Sequence, residues 1–218
     1  GESKTPHIQG VVAFNTAKKF TTLKNWNEKI HWEICISIKH AKEYCSKIET
    51  RNGKTFTSGW VIPKPIKIAL EGLTPYDWQQ EVITMTESPA DDRSINWYYD
   101  PDGCTGKTTL AKHICQTKNA LFVSGKANDI KFAVTEWIKE KKELDILIYG
   151  IPRSYENFVS YEVLESVKDG IFFSNKYESG MLIFNSPHVF VFANFPPDEK
   201  SLSKDRWNIR NISSLPVT

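Results

Sequence analysis

Apolar and polar residues follow two different periods along the chain. After residue 92, apolar runs of strand length are separated by stretches whose apolar residues recur every three or four positions, as on one face of a helix. This pattern predicts strands at residues 95–99, 120–124, 146–149 and 189–194, and helices at residues 108–117, 130–138 and 161–168. Strands that alternate with helices predict a mostly parallel sheet covered by helices, which is an α/β fold.

The first part of the chain has a different organisation. Its pattern predicts a small α+β unit, in the order strand, helix, strand, helix, at residues 7–14, 21–28, 32–38 and 39–47. Prolines at positions 63, 65 and 75 then interrupt the pattern and predict a linker, which is followed by a helix at residues 75–84. Two further apolar runs, at residues 171–174 and 181–184, predict a hairpin near the end of the chain.

Composition narrows the class of protein. The 218 residues are 40% hydrophobic, enough for a core, and the formal net charge is only +2, so any DNA-binding surface must be local. No apolar run approaches the roughly 18 residues that span a bilayer, so we expect an intracellular protein with no membrane partner. The four cysteines form no C-x-x-C pair, and we interpret them as reduced thiols.

A glycine-rich segment lies between the predicted strand at 95–99 and the predicted helix at 108–117. A phosphate-binding loop, or P-loop, requires this context, because the helix amino terminus then directs its free N–H groups at the phosphates. The alternative is an ordinary surface turn that contains a lysine. We predict that the segment binds nucleotide through Asp100, Pro101, Asp102, Gly103, Cys104, Thr105, Gly106, Lys107, Thr108 and Thr109.

Three residues of this loop have the chemistry that a nucleotide site needs. Gly106 allows backbone N–H groups to converge on phosphate, Lys107 provides a positive charge, and the Thr108 hydroxyl can bind Mg²⁺. The usual leading glycine is absent, because Asp100 and Pro101 stand seven and six residues before Lys107. The residues therefore predict ATP and Mg²⁺ as ligands of an atypical P-loop.

Short motifs in order along the chain resemble those of the Rep proteins of circoviruses, nanoviruses and their relatives among circular single-stranded DNA viruses. His-Ile-Gln-Gly at 7–10 resembles the second nicking motif of that family, and Tyr-Cys-Ser-Lys at 44–47 resembles the third. The P-loop resembles the first of the family's helicase motifs. The segments at 149–153, 174–178, 191–194 and 203–207 resemble the motifs that follow it, in the same order. The resemblance implies a P-loop superfamily 3 helicase ATPase domain preceded by the remnant of an α+β HUH-type nicking domain.

The resemblance also implies a division of labour along the chain. A truncated HUH-type endonuclease domain would occupy residues 1–58, a linker and helical oligomerisation segment residues 59–92, and the helicase ATPase domain residues 93–218. The implied function is rolling-circle replication initiation, with origin nicking and joining and ATP-driven unwinding. The implied partners are single-stranded DNA, origin DNA and further copies of the chain in a hexameric ring, in the host nucleus if the protein is viral.

Four residues carry the implied nicking chemistry. Alternate positions on a strand direct His7 and Gln9 to one side, and a spacing of three on a helix does the same for Tyr44 and Lys47. The resemblance implies that His7 and Gln9 hold a divalent metal, Mg²⁺ or Mn²⁺, and that Tyr44 attacks the DNA phosphate to form a covalent intermediate. A lone strand histidine is more often a satisfied core or surface group, so this assignment depends on the order of the motifs.

Further residues carry the implied helicase chemistry. Asn194 would contact the γ-phosphate or the attacking water, although an asparagine at the end of a strand is also a common turn former. Lys176 would follow the DNA backbone inside the ring, or else be a solvated hairpin lysine. Arg206 resembles an arginine finger that reaches a neighbouring subunit's nucleotide, with Arg153 and Arg210 as competitors for that role.

Two departures from the family pattern affect activity. The chain begins six residues before His7, so we expect the first nicking motif and its acidic metal ligand to be missing. Relatives usually end the strand at 146–149 with an acidic residue that holds Mg²⁺, and here that position is Gly150. We expect nucleotide binding to survive this loss better than hydrolysis does, and the strand to accept an aspartate at 150.

Three functions remain open at this point. The leading one is an initiator that nicks and unwinds DNA. The second is an endogenised Rep-like fragment that binds nucleotide or single-stranded DNA without turnover, which Gly150 and the missing first motif favour. An unrelated P-loop kinase is the third, and it leaves the nicking motifs and the C-terminal motifs unexplained.

Overall fold

The computed structural model of the chain describes residues 7–47, 52–62, 64–174 and 180–213. Two compact units divide it, Gly1–Pro65 and Ile66–Thr218. The boundary between them lies inside the segment that the proline pattern predicts as a linker. We describe each unit by itself, as the N-terminal and the C-terminal unit.

The N-terminal unit contains two short helices, α1 at Phe20–Lys24 and α2 at Ile38–Cys45. Helix α2 begins after Ser37, whose hydroxyl accepts a hydrogen bond from the backbone N–H of His40 at 3.4 Å. This bond satisfies one of the free N–H groups at the start of the helix. The helix predicted at 39–47 is therefore confirmed, and the helix predicted at 21–28 is shorter than expected.

The strands predicted at 7–14 and 32–38 are wrong, and with them the expected α+β arrangement. No strand is assigned in this unit at any residue that the structure describes. Ile8 and Ile34, which the pattern would direct into a core, are 99% and 82% exposed. A strand requires a neighbouring strand to pair its backbone N–H and C=O groups, and alternation of residues alone does not supply one.

The C-terminal unit contains seven strands and four helices among its described residues. The strands are β1 Ile95–Tyr99, β2 Ala120–Val123, β3 Ile146–Gly150, β4 Ile171–Ser174, β5 Gly180–Ile183, β6 His188–Ala193 and β7 Trp207–Asn211. The helices are α3 Asp77–Met85, α4 Lys107–Thr117, α5 Ala127–Lys141 and α6 Tyr161–Lys168. Short 3₁₀ helices lie at Arg153–Phe158, Glu199–Ser201 and Lys204–Arg206.

Five of the strands form one parallel sheet in the order β2-β3-β6-β1-β7. Strands β4 and β5 form a separate antiparallel hairpin, as the sequence predicts. The predicted α/β character with a parallel sheet is confirmed. Strand β7 was not expected, because its sequence Trp-Asn-Ile-Arg-Asn is mostly polar and it lies at the sheet edge, where it pairs only with β1.

Successive residues of the central strands pack on opposite faces of the sheet. Trp97 of β1 is fully buried on the face that α5 and α6 cover, and its indole N–H donates to the carbonyl of Phe195 at 2.9 Å. The next residue, Tyr98, is fully buried on the other face, together with Trp78 of α3 and Leu110 of α4. Helix α3, which the sequence assigns to a linker region, is thus part of the core of this unit.

This two-sided core fixes the carboxyl ends of β1, β3 and β6 beside one another. In a parallel sheet these ends form the edge at which ligands bind. None of the helices in the described ranges combines the length and apolar character that crossing a bilayer requires.

Candidate nucleotide-binding site

The predicted P-loop lies at the carboxyl edge of the parallel sheet and joins β1 to α4. Its backbone is left-handed at Gly103, Cys104 and Gly106, with φ of +96°, +63° and +81°. Gly106 is also the residue that precedes α4, so the helix begins at Lys107. The N–H groups of the first turn of α4 have no partner within the helix and carry its positive dipole end. This geometry is suited to binding an anion such as phosphate.

Gly106 is fixed by a residue of α3 that the sequence did not indicate. The buried side chain of Gln79 donates from Nε2 to the carbonyl of Gly106 at 3.1 Å and accepts from the N–H of Tyr76 at 3.0 Å. A Cβ atom at position 106 would lie 2.6 Å from Nε2 of Gln79. This contact and the φ of +81° both favour glycine at this position. The available signal was the position of Gln79, three residues after the Tyr76 that caps the helix.

Asp100 folds its carboxylate back into the loop. One oxygen accepts from the N–H of Asp102 at 3.0 Å, and the other accepts from the N–H of Gly103 at 2.9 Å and from the Thr105 hydroxyl at 2.9 Å. The residue is fully buried. Burial alone would raise the pKa of Asp100, but these hydrogen bonds and nearby Lys107 outweigh it and hold the pKa below its usual range.

The Lys107 ammonium lies inside the same loop. Its Nζ atom is 3.5 Å from Oδ2 of Asp100 and donates to the Thr105 hydroxyl at 3.3 Å. Burial lowers the pKa of Lys107, and the Asp100 charge offsets part of that effect. The lysine that is predicted to bind phosphate is thus paired with a carboxylate of its own loop.

Two further side chains hold the start of the loop. Asn194, directly after β6, donates from Nδ2 to the carbonyl of Asp100 at 2.7 Å. Arg153, in the 3₁₀ helix after β3, donates from Nη2 to the carbonyls of Pro101 at 2.5 Å and Asp102 at 3.5 Å. Asn194 therefore lies at the predicted site, and Arg153 lies beside the loop of its own chain.

The end of β3 has no acidic side chain, as expected from Gly150. The neighbouring Phe122 ring occupies the space beside this glycine. A Cβ atom at position 150 would overlap the Cζ atom of the Phe122 ring and lie 2.8 Å from its Cε2 atom. Phe122 is on the neighbouring strand β2 and is half exposed. The strand can accept an aspartate here, as expected from its geometry, only if the Phe122 ring first moves aside.

The residues present fit a metal-bound phosphate. Thr108 presents its hydroxyl from the exposed first turn of α4, and Mg²⁺ at such sites needs only one or two protein ligands because it keeps waters and binds substrate phosphates. Across the described ranges, no three His, Cys, Asp or Glu side chains come together as a metal site. ATP and Mg²⁺ stay predictions for this loop.

The predicted nicking residues are in the N-terminal unit. Tyr44 is exposed on α2, and the Lys47 ammonium lies 5.3 Å from the centre of its ring, so these two residues share a surface as expected. Residues 7–9 are not in a strand, so no strand geometry holds His7 and Gln9 on one side. The metal-binding role of His7 and Gln9 stays a prediction without that support.

Arg206 and Lys176 complete the predicted set. Arg206 precedes β7 at the edge of the sheet opposite the P-loop, where its buried guanidinium binds Asp169 at 2.7 Å and lies 3.4 Å from Glu165. An arginine finger has to reach a neighbouring subunit, so this role would require both ion pairs to break. Arg210 is paired with Glu81 at 2.5 Å. Lys176 lies outside the described residues, between β4 and β5.

Comparisons with known proteins match the chain to viral replication proteins. No family model matches it. Over 59% of its length it is 39% identical to the "Master replication protein" of Milk vetch dwarf virus and 40% identical to that of Subterranean clover stunt virus, and the matched part is 43% of each. A longer match, at 29% identity, covers 93% of the chain and 85% of "Para-Rep C9" of Faba bean necrotic yellows C9 alphasatellite.

These relatives identify the class of protein. The chain is a homologue of the Rep proteins of circular single-stranded DNA viruses, and the resemblance stated from its motifs is confirmed. More particularly, its relatives include nanovirus master replication proteins and alphasatellite Para-Rep proteins. The chain spans about two-fifths of the length of the master replication proteins that it matches.

Proposed function

We propose that the chain is a rolling-circle replication initiator whose C-terminal unit is a superfamily 3 helicase ATPase and whose N-terminal unit nicks and joins origin DNA. One observation carries the ATPase part. The loop between β1 and α4 has left-handed backbone conformations at three residues, and α4 begins at Lys107 directly after it. Lys107 and the free N–H groups of α4 therefore lie together at the carboxyl edge of a parallel sheet, where ligands bind. The similarity of the chain to Rep proteins supports the replication role.

The residues of the loop have distinct roles in this proposal. The N–H groups at the start of α4 and the ammonium of Lys107 bind and orient the phosphates, and Thr108 offers a hydroxyl to the magnesium. Bound Mg²⁺ would neutralise charge that develops on the phosphates during hydrolysis. Asn194 holds the start of the loop through the Asp100 carbonyl, and in this proposal it would also contact the γ-phosphate or the attacking water.

Calorimetric titration with Mg·ADP tests nucleotide binding. We expect Lys107→Ala to weaken binding on the order of a hundredfold, because charge-assisted hydrogen bonds to phosphate are among the strongest polar contacts. Lys112→Ala is the matched control, since Lys112 is an exposed lysine of the same helix. Equal affinity of the wild type and Lys107→Ala would contradict the assignment of the loop.

The nicking part rests on Tyr44 and has its own experiment. An exposed tyrosine with an ammonium 5.3 Å from its ring centre is accessible to a DNA phosphate. With Mn²⁺ and a single-stranded origin oligonucleotide, we expect a covalent adduct that Tyr44→Phe abolishes and that the exposed control Tyr155→Phe preserves. An adduct that persists in Tyr44→Phe, or none with the wild type, would rule out nicking by Tyr44.

One observation favours a second function, which is nucleotide or single-stranded DNA binding without turnover. The end of β3 offers no carboxylate, and the Phe122 ring fills the space that such a side chain needs. A chain of this kind would bind Mg·ADP through Lys107 yet show no ATP hydrolysis above that of Lys107→Ala. Measuring binding and hydrolysis on the same preparation separates the two functions.

Ring assembly with other copies of the chain is also part of the proposal. Arg206 could act on a neighbour's nucleotide only after leaving Asp169 and Glu165. We therefore expect Arg206→Ala to lower the stability of the single chain, because it removes these ion pairs, whatever its effect on assembly. Sedimentation with and without Mg·ADP and single-stranded DNA measures the oligomer, and thermal unfolding measures the stability.

A further inference from the structure

The carboxylate of Asp100 uses groups that a phosphate would also use. It accepts from two backbone N–H groups of the loop and from the Thr105 hydroxyl, and it lies 3.5 Å from the Lys107 ammonium. A P-loop binds phosphate through backbone N–H groups and this lysine. In this structure an anion of the protein itself therefore occupies part of the anion-binding concavity.

The Lys107 ammonium has a second partner in the loop besides Asp100. It also donates to the Thr105 hydroxyl at 3.3 Å, and that hydroxyl in turn donates to Asp100. Lys107, Thr105 and Asp100 thus form a closed triangle inside the loop. A phosphate that approaches Lys107 meets the negative charge of Asp100 at close range, where charges interact strongly because little water screens them.

We propose that Asp100 is an internal counterion of the phosphate loop, which holds Lys107 while the loop is empty and which an incoming phosphate must displace. This inference rests on the proposed function of the loop, nucleotide binding, and adds a device that lowers affinity for it. Asp100 is a positioning residue in this role, because it acts on phosphate through Lys107. The usual P-loop pattern begins with a glycine, whereas Asp100 and Pro101 begin this loop.

A purely structural role predicts a different response. If Asp100 only fastens the turn through its bonds to the N–H groups of Asp102 and Gly103, its removal loosens the loop and weakens phosphate binding. If it competes with phosphate, neutralising its charge while keeping an acceptor oxygen strengthens binding. The two roles therefore predict opposite signs for the same substitution.

Titration with Mg·ADP and with inorganic pyrophosphate tests the sign. Asp100→Asn keeps one acceptor oxygen and loses the charge, and we expect it to bind both probes on the order of tenfold more tightly. Glu140→Gln is the matched control, because Glu140 is an exposed residue near the end of α5 that pairs with the neighbouring Lys141. Asp100→Ser, which retains a smaller acceptor, is the second neutral variant if Asp100→Asn does not fold.

The reactivity of the Lys107 amine gives a readout that a loosened loop would not mimic. Acylation of this amine across a pH series, followed by peptide mass spectrometry, reports the pH at which it loses its proton. Asp100 raises the pKa of Lys107 and burial lowers it. Loss of the charge in an intact loop thus moves the acylation midpoint to lower pH, whereas opening of the loop moves it to higher pH.

The outcomes separate this inference from the proposed function. Tighter binding in a folded neutral variant, with a lower acylation midpoint, supports the counterion. Equal or weaker binding, or a higher midpoint, overturns it, even where Lys107→Ala still weakens binding. Equal affinity of the wild type and Lys107→Ala would instead reject nucleotide binding by the loop, and the counterion with it.

Discussion

At the level of single side chains, the end of β3 bears on the proposed ATP hydrolysis, because it lacks a carboxylate and has no free space for one. The Phe122 ring lies where the side chain of an acidic residue at 150 would have to pass. We expect Gly150→Asp alone to lower the free energy of unfolding by about 1–3 kcal/mol, as overpacking does. The double variant with Phe122→Ala should regain most of that loss and hydrolyse ATP on the order of tenfold faster than the wild type.

Phe122→Ala alone is the control for this pair, because it makes room without adding a carboxylate. Steady-state ATPase rates, with Lys107→Ala as background, and denaturant unfolding give the two readouts. Fast hydrolysis by the wild type that is unchanged in the double variant would mean that another residue carries the metal. Full stability of Gly150→Asp would mean that the ring moves aside freely.

Tyr98 provides a second residue-level prediction, on the dependence of stability on pH. Burial raises the pKa of its hydroxyl to about 12 from 10.0, with a contribution from Glu81 that Arg210 partly offsets. A folded-state pKa above the unfolded value gives stability that is complete below pH 10.0 and is lost as the pH rises toward 12. Unfolding free energies measured across this window should fall less steeply in Tyr98→Phe than in the wild type.

Equal slopes in Tyr98→Phe and the wild type would show that this hydroxyl ionises in the folded state as it does in water. Tyr155→Phe serves for comparison, because Tyr155 is partly exposed on the 3₁₀ helix after β3.

Among the secondary-structure elements, the β4–β5 hairpin has two unlike faces. Phe172 is 6% exposed, packs edge to face on Phe184 at 5.9 Å between ring centres and contacts Lys131, whereas its neighbour Phe173 is 57% exposed. We expect Phe172→Ala to cost about 3 kcal/mol of unfolding free energy and Phe173→Ala less than about 1 kcal/mol. Denaturant unfolding of both variants checks this, and equal costs would contradict the assignment of the faces.

How far the sequence predicts these elements depends on where their partners are. Strands β1, β3 and β6 are largely apolar, which is typical of strands buried on both faces, and all three were predicted. Strand β7 is mostly polar and was missed, and the strands predicted at 7–14 and 32–38 do not form. Local pattern reports what a segment can bury, whereas pairing depends on segments far away in the chain.

The candidate site shows the same division. Local spacing was sufficient to predict a loop at 100–109, whereas the missing acid at Gly150 was inferred from the family resemblance. The contacts that shape the loop join residues distant in sequence, such as Gln79 with Gly106 and Asn194 with Asp100. No short motif encodes such contacts, because they exist only once the sheet has brought its strand ends together.

For the molecule as a whole, the core is confined to the C-terminal unit. Every described residue of the N-terminal unit is at least partly exposed, whereas both faces of the parallel sheet are buried in the other unit. We therefore expect a fragment of residues 66–218 to unfold cooperatively and to bind Mg·ADP with the affinity of the whole chain. Residues 1–65 alone should show no cooperative transition, since little apolar surface is removed from water there.

Differential scanning calorimetry of the chain and both fragments measures this. A fragment of residues 66–218 that binds Mg·ADP much more weakly than the whole chain would mean that the first 65 residues contribute to the site. A cooperative transition in residues 1–65 would mean that this unit has a core of its own.

The contact between Gln79 and Gly106 has a consequence for protein engineering. The ten residues at 100–109 are not a portable module, because the carbonyl direction and the space at Gly106 are set by a helix that begins more than twenty residues earlier. Grafting the loop onto another parallel sheet would transfer its sequence but not its backbone conformation. A successful graft would have to carry α3 as well, together with β1, the loop and α4.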